Sequence, residues 1–284
     1  MNHIMNTVNR TPPVELYHYS DFVGLNGLVA NKQIWMGDLF FLNDEKEYQL
    51  GLDLFQESLA EQKAKYGNSP FGIFLNSIGS IEPLLREKPP FSFSLTEESD
   101  LLSQWRGYTK NGIGVSVGFN SQKLKDSFQL LPCLYSREEQ KAYIDFLFDS
   151  AFNKFSVTPE LGKFDKSGCS NVAELPFWDA INEAGSNFIS CLNVACSIIK
   201  HSSFQEEKEW RLVNFDRSNV EFLPKDTYLK PIKKVPIISE DLISSIKIGP
   251  NPNKHLCKSS VCSLLKTYGM GAVDVTFSDI PYRN

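Results

Sequence analysis

The chain has 284 residues, with 29 Lys and Arg against 34 Asp and Glu, a formal net charge of −5 at neutral pH. Hydrophobic residues at 42% and charged residues at 22% are the usage of a globular chain that buries a core without staples, which excludes disorder as its main state. The acidic balance removes the general electrostatic case for nucleic-acid binding and leaves only a local basic groove.

In chain order, residues 1–14 are polar, lack the apolar run of a secretory signal and are expected to be a flexible N-terminus. Glu15-Leu-Tyr-His-Tyr-Ser20 reads as a first strand with alternating aromatic residues. Ser20 and Asp21 offer a cap to a short helix carrying Phe22, Leu25, Leu28 and Val29. A strand follows at Ile34-Trp35-Met36. Asp44, with Glu47 three residues on, resembles a capping box opening a long helix to about Tyr66. After the Pro89-Pro90 break, Phe91-Ser-Phe-Ser-Leu95 alternates strictly and is a strand. Thr96 and the acidic run after it are expected to start a helix carrying Leu101, Leu102, Trp105 and Tyr108. Gly114 to Phe119 is a strand.

Ser136 and Glu139 make a second capping box, opening a helix that reaches about Phe155. A Gly/Ser-rich loop at 162–171 precedes another helix, from about Ala173 to His201. The pair reads as a helical insertion at about 136–205. Strands resume at Glu209 to Phe215, Val220 to Leu223, about Tyr228 to Ile232, and Ser245 to Gly249. A last helix spans about Lys254 to Tyr268, and a strand from Ala272 to Phe277 closes the chain. Strands mixed irregularly with helices predict an α+β fold, one domain over 15–284.

The cysteines (133, 169, 191, 196, 257 and 262) form no C-x-x-C pair. Two pairs have C-x4-C spacing, which on a helix points the thiols about 140° apart. They read as buried free thiols of a reducing cytosol. The longest apolar-rich stretch, near Cys191 to Ile199, is too short to span a bilayer, so a cytoplasmic protein without membrane contact is expected.

Several motifs invite chemistry. Gly112, Gly114 and Gly118 miss the dinucleotide fingerprint by one residue and sit in the wrong order of elements. His255, Cys257 and Cys262 are metal-ligand types, but one rigid helix face cannot present all three, so no metal is expected. His201, at a helix end, is more simply a dipole partner. Glu206-x-Lys208 matches half of a metal-dependent nuclease motif but lacks the aspartate on a preceding strand. Glu207-x-Glu209 puts two carboxylates on one side of a beginning strand. That pair suits chemistry through a cationic sugar, and it also fits a solvated acidic turn. His18, Ser94, Trp105 and Tyr108 supply the other parts of a nucleotide pocket, namely a histidine, a hydroxyl and an aromatic shelf.

Taken together, Leu16-Tyr-His-Tyr-Ser20, Ile34-Trp35, Leu42-Asn-Asp-x-x-Glu47, Phe91-Ser-Phe-Ser94, Trp105-Arg-x-Tyr108 and Gly118-Phe119 resemble, in order, the bacterial family catalogued as domain of unknown function 2971. So do Glu207-Lys-Glu-Trp-Arg211, Ile246-Lys-Ile-Gly-Pro250 and Ser278-Asp-Ile-Pro-Tyr-Arg283. More distantly, the opening Tyr-His-Tyr-Ser and the late paired glutamates are similar to ADP-ribosyltransferase-like domains. The first-motif histidine matches one subclass, while the serine and paired glutamates match another. This resemblance implies a mixed-sheet core and NAD as substrate. In that frame His18, Tyr19 and Ser20 hold the ribose and carboxamide, with Ser94 from the middle motif beside them. Tyr108 or Trp105 stacks on nicotinamide, and Arg106 and Arg211 meet the pyrophosphate. Glu209 acts as the catalytic carboxylate with Glu207 as its alternative, and Glu209→Gln is expected to fold normally. The acceptor is a protein or nucleic acid, a partner from the same operon is conceivable, and a toxin or antiphage effector is the implied role. A catalytically silent module of the same fold and a metal-dependent nuclease stand as alternatives.

Overall fold

The computed structural model describes residues 8, 10–42, 47–109, 112–157, 175–225, 227–237 and 241–281. Asp44, Cys169, the loop at 162–171, Tyr282 and Arg283 lie outside the described residues. The chain divides into two compact units, one from the described parts of 43–90 and 134–202, the other from 8–42, 91–133 and 203–281. The helices expected as an insertion at about 136–205 thus join a unit that also takes in the long helix after Glu47.

The sheet unit is α+β and mixed. Its strands are β1 (Glu15–Ser20), β2 (Gln33–Asp38), β3 (Phe91–Thr96), β4 (Val115–Asn120), β5 (Gln129–Pro132), β6 (Glu209–Asn214), β7 (Glu221–Pro224), β8 (Leu229–Pro236), β9 (Ile243–Ile248) and β10 (Asp274–Phe277). They run in the order β10-β9-β4-β1-β3-β2-β8-β7, with β6 joined to β3 and β5 to β6. The β10–β9 pair is parallel and the other pairs are antiparallel.

Two helices, α1 (Phe22–Asn31) and, last of the helices, α9 (Lys254–Thr267), bury one sheet face. Leu25, Leu28 and Val29 of α1 and Cys257, Val261 and Leu265 of α9 share a core with Leu16, Phe93, Val117 and Ile246. Asp21 caps α1 through its side chain, accepting from the Gly24 amide at 2.8 Å, as the sequence suggests. Of the segment expected to be flexible, Arg10 pairs with Glu97 at 2.7 Å and lies 4.8 Å over the Trp210 ring.

Thr96 does not start a helix, because it ends β3. The helix α5 (Leu102–Tyr108) begins only after Leu101, whose side chain makes no cap bond. The acidic run between them forms the bend instead. Asp100 accepts from the Trp105 Nε1 at 2.7 Å and from the Ser278 hydroxyl at 2.6 Å, tying the segment after β10 to α5.

The helical unit is built on α2 (Glu47–Tyr66), α3 (Pro70–Ser77), α4 (Glu82–Glu87), α7 (Arg137–Val157) and α8 (Leu175–Ile198). α6 (Ser121–Ser127) belongs to the sheet unit. The Ser136 hydroxyl accepts from the Glu139 amide at 3.1 Å, as expected of a capping residue. The generous Phe content fills this core: Phe55 stacks with Phe148 at 5.9 Å, and Phe148 meets Phe188 at 5.0 Å. α2 and α8 approach so closely at Gly51 that a Cβ there would lie 2.8 Å from the Cys196 Cα.

Glu47, expected mainly as a capping residue, pairs with Lys200 at 3.2 Å, and both side chains are buried. Removing one partner of such a pair strands a buried charge, whereas removing both can be nearly neutral. Lys200→Met should therefore lower stability by about 3–5 kcal/mol, and adding Glu47→Leu should restore most of that loss. Urea denaturation of the single and double variants reads the difference.

Candidate active site

β3 has two neighbours along one edge. β1 meets it at Thr96 through Tyr17, and β2 meets it at Ser92 and Phe91 through Gly37 and Asp38. Between these points the edge at 93–95 is left without a strand partner, while β6 pairs the whole of the other edge. A backbone carbonyl in such a gap needs another partner. The His18 ring provides one, donating from Nδ1 to the Ser94 carbonyl at 2.8 Å and stacking on Phe93 with ring centroids 4.0 Å apart.

Burial pushes the His18 pKa down to about 4, the Lys230 ammonium acts in the same direction, and the bond to the Ser94 carbonyl opposes both. The ring is therefore neutral at pH 7. With its proton on Nδ1, it presents Nε2 as an acceptor.

Strand alternation sends Phe91, Phe93 and Leu95 into the core and Ser94 and Thr96 to the other face. In register with these, Thr96 opposes Glu209 and Ser94 opposes Arg211. Glu209 and Arg211, two residues apart on one strand face, form a buried bidentate pair. Arg211 Nε donates to Glu209 Oε1 at 2.7 Å and its Nη2 to Oε2 at 3.1 Å.

Glu207 reaches the same site by a different route from the strand alternation expected. It ends a 3-10 turn (Ser202–Glu207), and Lys208, at φ +42°, turns the backbone through the left-handed region into β6. The Thr96 hydroxyl donates to the Glu207 carbonyl at 2.6 Å. One of the Glu207 carboxylate oxygens accepts from the Tyr108 hydroxyl at 3.1 Å.

These groups surround a small open cleft lined by Tyr17, His18, Tyr19, Ser94, Leu95, Thr96, Gln104, Tyr108, Glu207 and Glu209. Of the residues singled out in the sequence, His18, Tyr19, Ser94, Tyr108, Glu207 and Glu209 come together here. The Tyr19 hydroxyl donates to the Glu98 carbonyl at 2.9 Å and accepts from the Leu101 amide at 2.9 Å, which orients the bend before α5.

Four expected residues sit elsewhere. Trp105 is fully buried, edge-on to Tyr19 and bonded to Asp100, so its ring is not an exposed shelf for a ligand. Arg106 is exposed on α5 and does not line the cleft. Ser20 faces α1, where a Cβ at Gly24 would meet its hydroxyl oxygen. Arg211 is engaged by Glu209 and lies outside the lining.

Four lining residues escaped the sequence reading, and of these Leu95 is a core residue of β3. Tyr17 shares the strand face of Tyr19, a period-2 signal. Gln104 stands one helical turn before Tyr108, an i, i+4 signal. Thr96 acts through its hydroxyl at a strand end, which no spacing reveals.

The other sequence motifs do not converge. Cys257 belongs to the core, whereas His255 packs edge-on against Phe277 at 5.5 Å. Among the described residues no group of three or more His, Cys, Asp or Glu is placed to hold a metal ion. Glu206 is exposed, and Lys208 pairs with Glu98 at 2.5 Å. Among the described residues no helix is long and apolar enough to cross a membrane.

Fold and site thus define an α+β chain whose mixed sheet opens a small acidic, aromatic cleft. Residues 104–212 match the family described as Protein of unknown function (DUF2971), and over that stretch the family resemblance read from the sequence is shown. No curated protein and no solved structure matches the chain.

The depressed His18 pKa has a consequence for stability. Above the ordinary histidine pKa both folded and unfolded chains carry it neutral, so its contribution is complete. As pH falls from about 6.5 towards 4, the unfolded chain binds a proton that the folded chain refuses, and stability drops. At ~1.4 kcal/mol per pKa unit the loss is roughly 3 kcal/mol. Melting temperatures from pH 7.5 to 4 should therefore fall more steeply for the parent than for His18→Asn, and equal slopes would contradict a buried neutral ring.

Proposed function

We propose that the cleft binds the nicotinamide–ribose end of NAD and that the protein is an ADP-ribosyltransferase-like enzyme, transferring ADP-ribose to an acceptor or to water. The observation that carries this reading is the meeting of His18, Tyr108, Glu207 and Glu209 in one cleft. NAD fits the donor set: a neutral imidazole with an acceptor nitrogen, an aromatic ring, and two carboxylates beside the place where positive charge would develop.

In the reaction the bond between the nicotinamide nitrogen and ribose C1′ breaks and its electron pair stays with nicotinamide, neutralising the ring. The ribose passes through an oxocarbenium-like state. The acceptor's hydroxyl, amine or water oxygen then bonds to C1′ and gives up a proton. Glu209, held beside the Arg211 guanidinium, is the carboxylate that stabilises the sugar cation and polarises the 2′-hydroxyl. Glu207 accepts the acceptor's proton. His18 Nε2 accepts from a ribose hydroxyl, and the Tyr108 ring covers nicotinamide. A toxin or antiphage role would follow from such an activity on a cellular acceptor.

The two carboxylates are separable by experiment. Glu209→Gln should cut nicotinamide release by about 10²–10³. Contrary to the sequence expectation of normal folding, it should also lower stability by about 3–5 kcal/mol, because Arg211 loses its buried counter-charge. Glu207→Gln should keep its melting temperature and its NAD affinity within a few-fold, yet lose transfer to the acceptor. Calorimetry with NAD and a nicotinamide-release assay, run well below each variant's melting point, read both. A parent protein that neither binds NAD nor releases nicotinamide would leave the silent-module alternative standing.

A further inference from the structure

Gln104 is the lining residue without an evident structural task. It is 6% exposed, it stands on α5 one turn before Tyr108, and it faces the cleft. Among the described residues no group hydrogen-bonds its carboxamide. Three polar residues near it are engaged: Thr96 on the Glu207 carbonyl, Tyr19 on Glu98 and Leu101, and Trp105 on Asp100. Its amide atoms are not among the fully enclosed polar atoms that lack a partner, so they open onto the cleft. A carboxamide held at the cleft wall, open to it and bonded by no protein group, is available to pair with a ligand.

A glutamine amide presents one N–H donor and one carbonyl acceptor side by side. Its complement is a group with an acceptor and a donor in the same plane, as on a primary carboxamide or on the amino edge of adenine. Charge decides between them. Glu207 and Glu209 border the same cleft, which favours a cationic ring over a neutral one. The oxidised nicotinamide ring carries both the positive charge and the carboxamide. Nicotinate offers a carboxylate instead: it has no N–H for the Gln104 carbonyl, and it brings a negative charge to a wall that already holds Glu207, with Glu209 countered by Arg211.

We infer that Gln104 is the specificity-determining residue of the cleft, pairing in plane with the carboxamide of the nicotinamide ring and thereby selecting NAD over its deamidated acid form. This rests on the NAD reading of the cleft and goes beyond it, because it names the atom group that is read.

The test is calorimetry of the full chain with nicotinamide, nicotinate and adenine, and then with NAD and nicotinic acid adenine dinucleotide, for the parent, Gln104→Met and Gln104→Glu. The parent should prefer nicotinamide to nicotinate and NAD to the acid dinucleotide. Gln104→Met keeps the volume and removes both polar groups. Its melting temperature should be unchanged or raised, its nicotinamide affinity about tenfold weaker, and its preference for amide over acid largely lost. Gln104→Glu keeps an acceptor for the ligand's N–H and removes the donor, so it should weaken nicotinamide binding as well. If both variants keep the parent's amide-to-acid ratio while the parent still releases nicotinamide from NAD, the role of Gln104 is overturned and the NAD reading stands. If the parent binds adenine in preference to nicotinamide, the carboxamide assignment is overturned. A parent that binds none of these ligands overturns both.

Discussion

The cleft exists because β3 cannot be paired continuously on the edge that β1 and β2 share. A sheet interior normally closes every backbone group in a ladder, and a gap of three residues would leave buried amides and carbonyls without partners. Here the His18 imidazole occupies the gap and accepts the burden of the Ser94 carbonyl. Everything notable about that histidine follows: its neutral state, its fixed tautomer and its stacking on Phe93. The strand separation opens space, and the ring that patches the backbone also becomes part of the wall. On the other side of the fork, Lys230 of β8 lies over Gly37, where a Cβ would stand 2.7 Å from the lysine Cε. Its charge reinforces the neutral form of His18.

The intact edge of β3 has the opposite effect. Continuous pairing with β6 delivers Glu209 opposite Thr96 and Arg211 opposite Ser94, so the buried ion pair is positioned by backbone register rather than by loop geometry. Such a pair is a poor device for stability, since hydrophobic residues of similar volume would serve as well or better. Its presence on the wall of a cleft is better explained by what an ionised carboxylate can do there. The contrast with Glu207 is physical. One carboxylate is gripped by a rigid guanidinium fork, the other is bonded by a phenol on a short helix, and they meet because Lys208 adopts a left-handed backbone. The two carboxylates are thus met by different donors, a guanidinium and a phenol.

How much of this was legible follows from which forces are local. The alternation in β1 and β3, the cap at Asp21, the capping serine at Ser136 and the long helix from Glu47 were readable because periodicity and capping act within a few residues. The partners of Glu47 and Glu209 were not, since a carboxylate's counter-charge depends on which elements pack together. The Thr96 reading failed for a related reason. A threonine before an acidic run is a fair N-cap by local rules, but β3 pairing with β6 extends the strand through it, and its hydroxyl serves the Glu207 carbonyl. Trp105 was read as a ligand shelf because an aromatic residue on an amphipathic helix can face either way. Its indole N–H found Asp100, and its ring went into the core. The fork itself has no sequence signature, because β1 and β2 each read as ordinary strands.

The motifs behind the family resemblance acquire a common meaning in this frame. At Gly249, in the Ile246 to Pro250 motif, a Cβ would lie 2.7 Å from the Trp105 ring. At Gly118 it would lie 2.2 Å from the Ser245 hydroxyl oxygen and 3.2 Å from the Tyr17 ring. A Cβ at Gly27 of α1 would lie 3.3 Å from the Trp35 indole. Ser278 and the Asp279 amide both bond Asp100, the residue that holds the Trp105 N–H. The Gly27 contact packs α1 on β2, and the others share one geometric result: they hold β1 and α5, the two elements that present His18 and Gln104, against the rest of the sheet. Most of the recognisable pattern is therefore the frame of the cleft, and only a minority of it is the lining. A pattern dominated by close packing can identify a family while revealing little of its chemistry, because glycines and buried aromatics specify distances between elements and not the group that is held between them.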